Sequence, residues 1–209
     1  NFPLMIGAWK LGPALAMGNS VVLKPAETAS LSLLRMAELA LDAGLPPGVL
    51  NVVTGEGAVV GEALGLSMDV DVLVFTGSGP VGRRLLEYSA RSNLKRVYLE
   101  LGGKSPHVIF ADAPDLDKAA QVAAMGIFRN SGQVCVAGSR LLVERSIHDD
   151  FAAAVARHAS AMKVGDPLDV TTQMGAVNSE RQLAQNLASV ETAAAEGGTI
   201  LTGGARILS

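Results

Sequence analysis

The chain has 209 residues, 49% hydrophobic and 18% charged, enough to bury a substantial core in one or two domains. Its formal net charge is −3 and it has no run of lysine and arginine, so no nucleic-acid partner is expected. No apolar run approaches the roughly 18 residues of a membrane span. The single cysteine precludes an intramolecular disulfide, which fits a cytoplasmic protein.

In chain order, residues 2–17 read as an apolar helix, bent where Gly12-Pro13 removes a backbone donor and stopped by Gly18-Asn19. Residues 20–24 form a short buried strand. Residues 30–43 form an amphipathic helix closed by Gly44, with Leu33, Met36, Leu39 and Leu41 near one face. Pro46-Pro47-Gly48 turns the chain into a strand at 49–53. A helix follows at 57–66, a strand at 69–76, a helix at 81–91 and a strand at 95–101. This alternation implies right-handed βαβ crossovers and a parallel sheet covered on both faces, a doubly wound α/β, Rossmann-like architecture.

Gly102-Gly103 marks the expected boundary. Residues 1–102 read as part of a nucleotide-binding domain, and residues 103–209 as part of a second, catalytic α/β domain. The second region predicts a strand at 106–110, a helix at 115–128, a strand at 139–143, a helix through 162 capped by Ser146 with Asp149, a helix at 178–196 and a strand at 199–202. The chain opens in an apolar Phe2-Pro-Leu-Met5 run and closes just after a predicted strand, so it reads as a piece of a longer polypeptide.

Two segments carry chemistry. Gly77-Ser-Gly-Pro-Val-Gly82 fits G-x-G-x-x-G after an apolar strand and at a helix start. There, glycines let a phosphate approach the backbone and the helix N-terminus favours negative charge. A Rossmann reading then seeks an acidic residue roughly twenty positions on for a ribose, and Glu100 is available. The alternative is a plain βα turn. The second segment, Asn130-Ser-Gly-Gln-Val-Cys135-Val-Ala-Gly-Ser-Arg140, places the only thiol in a loop flanked by Gly132 and Gly138. A lone cysteine is more often a small buried hydrophobe than a nucleophile. An ordinary thiol is mostly protonated at neutral pH, and a preceding helix C-terminus does not favour the thiolate, so a nucleophile here needs a base. The histidines give no support to a Cys–His hydrolase: His148 and His158 read as helix-surface residues and His107 as a strand residue. No metal is expected.

Asn1-Phe-Pro-Leu4, Lys24-Pro-Ala-Glu27, Phe75-Thr-Gly-Ser78, Leu99-Glu-Leu-Gly-Gly-Lys-Ser-Pro106 and Gly132-Gln-Val-Cys-Val-Ala-Gly-Ser-Arg140 resemble, in order and spacing, the aldehyde dehydrogenase superfamily. The likeness covers essentially the whole chain. Asp112-Ala-Pro-Asp-Leu-Asp117 and residues 138–147 resemble the γ-glutamyl-γ-aminobutyraldehyde dehydrogenases within it.

The resemblance implies NAD(P)-dependent oxidation of a small aldehyde to a carboxylic acid. Cys135 would form the thiohemiacetal and thioester. Asn1 and the Cys135 N–H would hold the oxyanion, and Glu100 would act as general base, leaving the ribose to Lys24 and Glu27. Glu27 repels a 2′-phosphate, which favours NAD, while Lys24 leaves NADP possible; the alternative for both is a surface pair. Ser78, Gly77 and Gly82 would meet the pyrophosphate. Phe2, Ile6 and Trp9 share one helix face that either lines the aldehyde tunnel or faces the core, and Val134 and Val136 flank the thiol. Arg129 stands where relatives commonly carry an aromatic, and either tunes substrate charge or is solvated. The parent is expected to be a homodimer or homotetramer. Two other readings are a truncated, impaired dinucleotide-binding piece, and a dehydrogenase using acyl-CoA or a semialdehyde phosphate.

Overall fold

The computed structural model describes residues 1–207. The chain divides into two compact units, Asn1–Gly102 and Gly103–Ser209. The first contains α1 (Pro3–Ala16), β1 (Val21–Leu23), α2 (Leu31–Asp42), β2 (Leu50–Val52), α3 (Gly57–Leu66), β3 (Val72–Gly77), α4 (Gly79–Ala90) and β4 (Arg96–Leu101). The second contains β5 (Pro106–Ile109), α5 (Leu116–Phe128), a 3₁₀ turn (Arg129–Gly132), β6 (Arg140–Val143), a second 3₁₀ turn (Arg145–Ile147), α6 (His148–Ser160) and α7 (Glu180–Ala195).

The strands pair as β1–β2, β3–β4 and β5–β6, all parallel and each joined through a helix. This is the predicted α/β alternation, but as three two-stranded ladders. The helices α1 and α2 both end on a left-handed glycine: the N–H groups of Gly18 and Asn19 reach Leu15 and Ala14, and those of Gly44 and Leu45 reach Leu41 and Ala40. Glycine adopts that backbone without a Cβ clash, so both helices stop where the sequence says.

In the first unit Leu11, Leu33, Leu50 and Leu85 are buried. Gly7 of α1 lies so near Leu33 that a Cβ there would come within 2.7 Å of its Cδ2. Leu39 and Leu41, expected on the inner face of α2, are instead exposed, because that face is narrowed to Leu33 and its half-buried neighbours. Lys95 is buried, its ammonium donating to the Gly65 carbonyl at 2.6 Å and to Ser92 Oγ at 2.7 Å, so a cation closes the C-terminal end of α3. On β3–β4, Val72, Val74 and Tyr98 share one face at 49%, 50% and 54% exposure. The helix α4 covers the other face, through Gly82 against Leu99 and Leu101.

In the second unit α5 and α6 pack on β5–β6 around Ile109, Ala120, Phe151 and Ala154. Asp115 caps α5 by accepting from the Lys118 N–H at 2.8 Å.

Three local expectations fail. The strand predicted from Asp69 starts only at Val72, because the Met68 and Val70 carbonyls accept from the Asn93 side-chain amide instead of a ladder partner. Ser146 does not cap α6: its hydroxyl donates to Glu144 Oε1 at 2.7 Å, a charged acceptor that outcompetes the capping geometry. The segment 199–202 forms no strand, since no other described strand offers it a ladder.

Candidate active site

At the C-terminal ends of β1 and β2 the first unit opens a cavity of about 240 Å³ lined by Pro25, Ala26, Glu27, Ser30, Thr54, Gly55 and Glu56. Lys24 leaves β1 and turns its ammonium to Glu27 Oε1 at 3.0 Å, while the Gly57 N–H at the start of α3 donates to the same oxygen at 2.6 Å. Gly57 sits so close that a Cβ there would come within 3.2 Å of this oxygen. Glu27's own backbone N–H, then the Lys24 ammonium and the Gly57 N–H, hold its carboxyl below the usual carboxylate range, and burial opposes them. The Lys24–Glu27 pair is an i,i+3 ion pair with Glu27 exposed, and its acceptor oxygen also takes the Gly57 N–H at a helix N-terminus. Glu56, the residue before α3, also lines this cavity. No sequence pattern singled Glu56 out, since its place depends on the β2–α3 turn.

The glycine motif follows β3 directly. Ser78 is the N-cap residue of α4 and its side chain makes no capping bond. Gly82 is buried, with Leu101 at 3.1 Å and Leu99 at 3.3 Å from the position a Cβ would take, so its smallness seats α4 on β4. At Gly77 a Cβ would meet the Phe75 ring at 2.4 Å.

Glu100 is the penultimate residue of β4, in register with Thr76, and is exposed. Thr76 Oγ1 accepts from Lys10 Nζ at 2.6 Å. Burial lowers the Lys10 pKa, and the negative charge of Glu100 pulls it back up, so the two charges interact. Lys10 was missed at the sequence level, although it is the only charged residue in a helix of 14.

The buried side of α1 carries Gly7 and Leu11, whereas Phe2 and Ile6 are half-buried and Trp9 is 66% exposed. Asn1, just ahead of α1, is exposed.

In the second unit, α5 ends at Phe128 and the chain enters a turn in which Asn130, Ser131 and Gly132 all have positive φ. Arg129 is exposed. Cys135 follows, half-buried, between half-buried Val134 and Val136, which is 72% exposed. Ala137 is buried and anchors the far side of the loop. At Gly138 a Cβ would meet His107 Cβ at 2.9 Å, so only glycine lets the loop rejoin β6 beside β5. Arg140 Nε donates to the Lys104 carbonyl at 2.7 Å, tying the Gly103-Lys104-Ser105 segment to the loop's exit. The Cys135 N–H has no acceptor among the described residues.

Of the histidines, His148 pairs with Asp149 and His158 with Asp117. Among the described residues no group of three or more His, Cys, Asp and Glu is placed to hold a metal. Among the described residues no helix is long and apolar enough to cross a membrane.

Comparison with known proteins bears on this arrangement. The NADP/NAD-dependent aldehyde dehydrogenase PuuC of Escherichia coli (strain K12) is 56% identical over 175 residues, 84% of this chain and 35% of that protein. A solved indole-3-acetaldehyde dehydrogenase with NAD+ matches with a TM-score of 0.97 at 52% identity, over 99% of this chain and 42% of that one. A γ-glutamyl-γ-aminobutyraldehyde dehydrogenase from Burkholderia cenocepacia J2315 matches with a TM-score of 0.95 at 52% identity, over the same shares. The chain thus spans about two fifths of the length of these solved relatives. The family model described as "Aldehyde dehydrogenase family" matches residues 1–209, and the chain belongs to that family.

Proposed function

We propose that this chain carries the cofactor cleft and the nucleophile of an enzyme that oxidises a small aldehyde to a carboxylic acid with NAD, or less readily NADP. The observation that carries the reading is the Cys135 loop: a thiol on a sharply turned backbone whose own N–H lacks an acceptor among the described residues. Such an amide is what a developing alkoxide requires.

The residues present fit a dinucleotide. The cavity beside Glu27 and Glu56 offers carboxylates to ribose hydroxyls and repels a 2′-phosphate, and Ser78 offers an uncommitted hydroxyl at a helix start. Gly77 and Gly82 keep that turn small. When bound, the nicotinamide supplies the acceptor for a hydride.

Cys135 Sγ attacks the aldehyde carbon as a thiolate, and the carbonyl oxygen becomes an alkoxide. The Cys135 N–H and the Asn1 side-chain amide are its assigned donors. The alkoxide collapses, the C–H bond breaks as hydride, and a thioester remains on Cys135. Glu100 accepts the thiol proton through a water and releases it to solvent, then accepts a proton from the water that attacks the thioester and passes it to the departing Cys135 sulfur. The carboxylate leaves and the thiol is restored. Phe2, Ile6, Trp9, Val134 and Val136 are the assigned walls of the aldehyde path. The reading extends to residues 1–102 and 103–209 as cofactor and catalytic domains, and to a cytoplasmic homodimer or homotetramer of the whole protein.

The test is NADH formation at 340 nm by the full-length protein over a panel of aldehydes, headed by the amino-aldehyde named for the Burkholderia relative. Replacing Cys135 by Ala is expected to lower kcat by roughly 10⁴-fold or more while NAD binding persists. Turnover that survives in Cys135→Ala would contradict the assignment.

A second reading is favoured by the uncovered apolar residues of β3–β4. Made alone, these 209 residues would bind dinucleotide without turnover.

A further inference from the structure

The described residues hold three non-glycine positions with positive φ: Leu94, Asn130 and Ser131. Two of them are consecutive and stand immediately ahead of the thiol loop, with φ and ψ of 52° and 37° at Asn130 and 56° and 33° at Ser131. Gly132 continues the left-handed run at φ 74°. Asparagine tolerates this backbone through local side-chain hydrogen bonds, and glycine has no Cβ to clash. Serine has neither excuse. A strained residue persists only when its surroundings over-determine it, and such residues gather at functional sites.

Asn130 is held locally. Its Nδ2 donates to the Gln133 carbonyl at 3.2 Å, and the Gln133 N–H and side-chain amide both return to the Asn130 carbonyl, at 3.1 and 3.4 Å. Ser131 is held from a distance. Its hydroxyl donates to the Gly175 carbonyl at 2.7 Å, with the Ala176 carbonyl at 3.2 Å, more than forty residues along the chain.

The segment that offers these carbonyls is itself closed. The N–H groups of Gln173 and Met174 donate to the Lys163 carbonyl, and the Gly165 N–H donates to the Met174 carbonyl. The Lys163 ammonium grips Asp169 Oδ2 at 2.7 Å and also bonds Thr171.

We propose that Ser131 is a positioning residue for Cys135: its hydroxyl latches the left-handed turn 130–132 onto the closed 163–176 segment and thereby fixes where the thiol loop begins. The inference rests on Cys135 being the nucleophile. The latch sets the thiol's place, and the left-handed backbone is what aims the Ser131 hydroxyl at Gly175.

The variants separate the hydroxyl from the backbone. Ser131→Gly removes the hydroxyl and relieves the left-handed conformation, so it is expected to melt no lower than wild type. Ser131→Ala removes the hydroxyl and keeps the strain. Ser131→Asn keeps a side-chain donor on a residue that tolerates positive φ. In the full-length protein, kcat and the rate of iodoacetamide labelling of the Cys135 peptide, read by mass spectrometry, are measured together with the Kd for NAD. Both rates are expected to fall roughly ten- to a hundredfold in Ser131→Gly and Ser131→Ala. The Kd for NAD should be unchanged, and Ser131→Asn should recover part of the loss.

A Ser131→Gly variant with wild-type kcat and labelling rate would overturn the latch, as would a loss in kcat that simply follows a loss of melting temperature. A Cys135→Ala control run beside them keeps the outcomes distinct. If that control stays active the nucleophile assignment fails, whereas if it is dead and Ser131→Gly is not, only the latch fails.

Discussion

The two halves of the proposed site are built by different means. In the first unit the Lys24–Glu27–Gly57 arrangement stands on the regular ends of β1 and α3, with side chains meeting over short hydrogen bonds. In the second unit the thiol stands on irregular backbone, a run of left-handed residues held by a serine whose partner is a distant carbonyl. A wall for a cofactor can be made from charges at secondary-structure termini, because a ribose asks only for acceptors in reach. A nucleophile must be aimed, and here aiming requires a backbone that no repeating element provides.

The strongest way to break this contrast is to damage one unit and ask whether the other notices. Phe151 is 2% exposed and central to the core under α5 and α6. Phe151→Ala should cost about 3–5 kcal/mol of stability, read by denaturant melts of the full-length protein. If the units are independent, NAD binding by the folded fraction persists while thiol labelling becomes rapid and unselective. Loss of both together would mean that the cofactor wall depends on the second unit's core.

A smaller effect sharpens the cofactor side. Glu27→Gln removes the negative charge but leaves the side chain able to meet Lys24 and Gly57. The KM for NAD should rise about tenfold and that for NADP should fall relative to it, with the rate of Cys135 labelling unchanged. An unaltered NADP:NAD ratio would move the discrimination to Glu56.

The smallest effect is in pH. Glu27 has a folded-state pKa below its ordinary 4.5, so its contribution to stability is fully present above about pH 4.5 and is lost as pH falls through the lower folded value. Acid melts of wild type and Glu27→Gln should therefore converge as pH drops below 4.5. Curves that stay parallel through that window would deny the bonds from Lys24 and Gly57 any net effect.

What could be read from the sequence follows the same division. The α/β alternation, the glycine stops at Gly18 and Gly44 and the family resemblance were all legible, because periodicity and turn chemistry are local. Ser146 was misread because the capping pattern contains no information about Glu144, which took its hydroxyl. Lys10 was legible in principle, as a lone charge in an apolar helix, but its partner Thr76 lies 66 residues away. The left-handed turn at Asn130-Ser131 leaves no compositional trace beyond Gly132, and the Ser131 partner is a backbone carbonyl, which has no residue type to recognise.

The central claim is that an acyl group passes through Cys135. Mixing the full-length protein with aldehyde and NAD, quenching in acid within one turnover and mapping peptides by mass spectrometry tests it directly. The account predicts the acyl mass on the Cys135 peptide, formed only when both aldehyde and NAD are present. Steady turnover with that peptide unmodified, or the acyl mass on another residue, would contradict it.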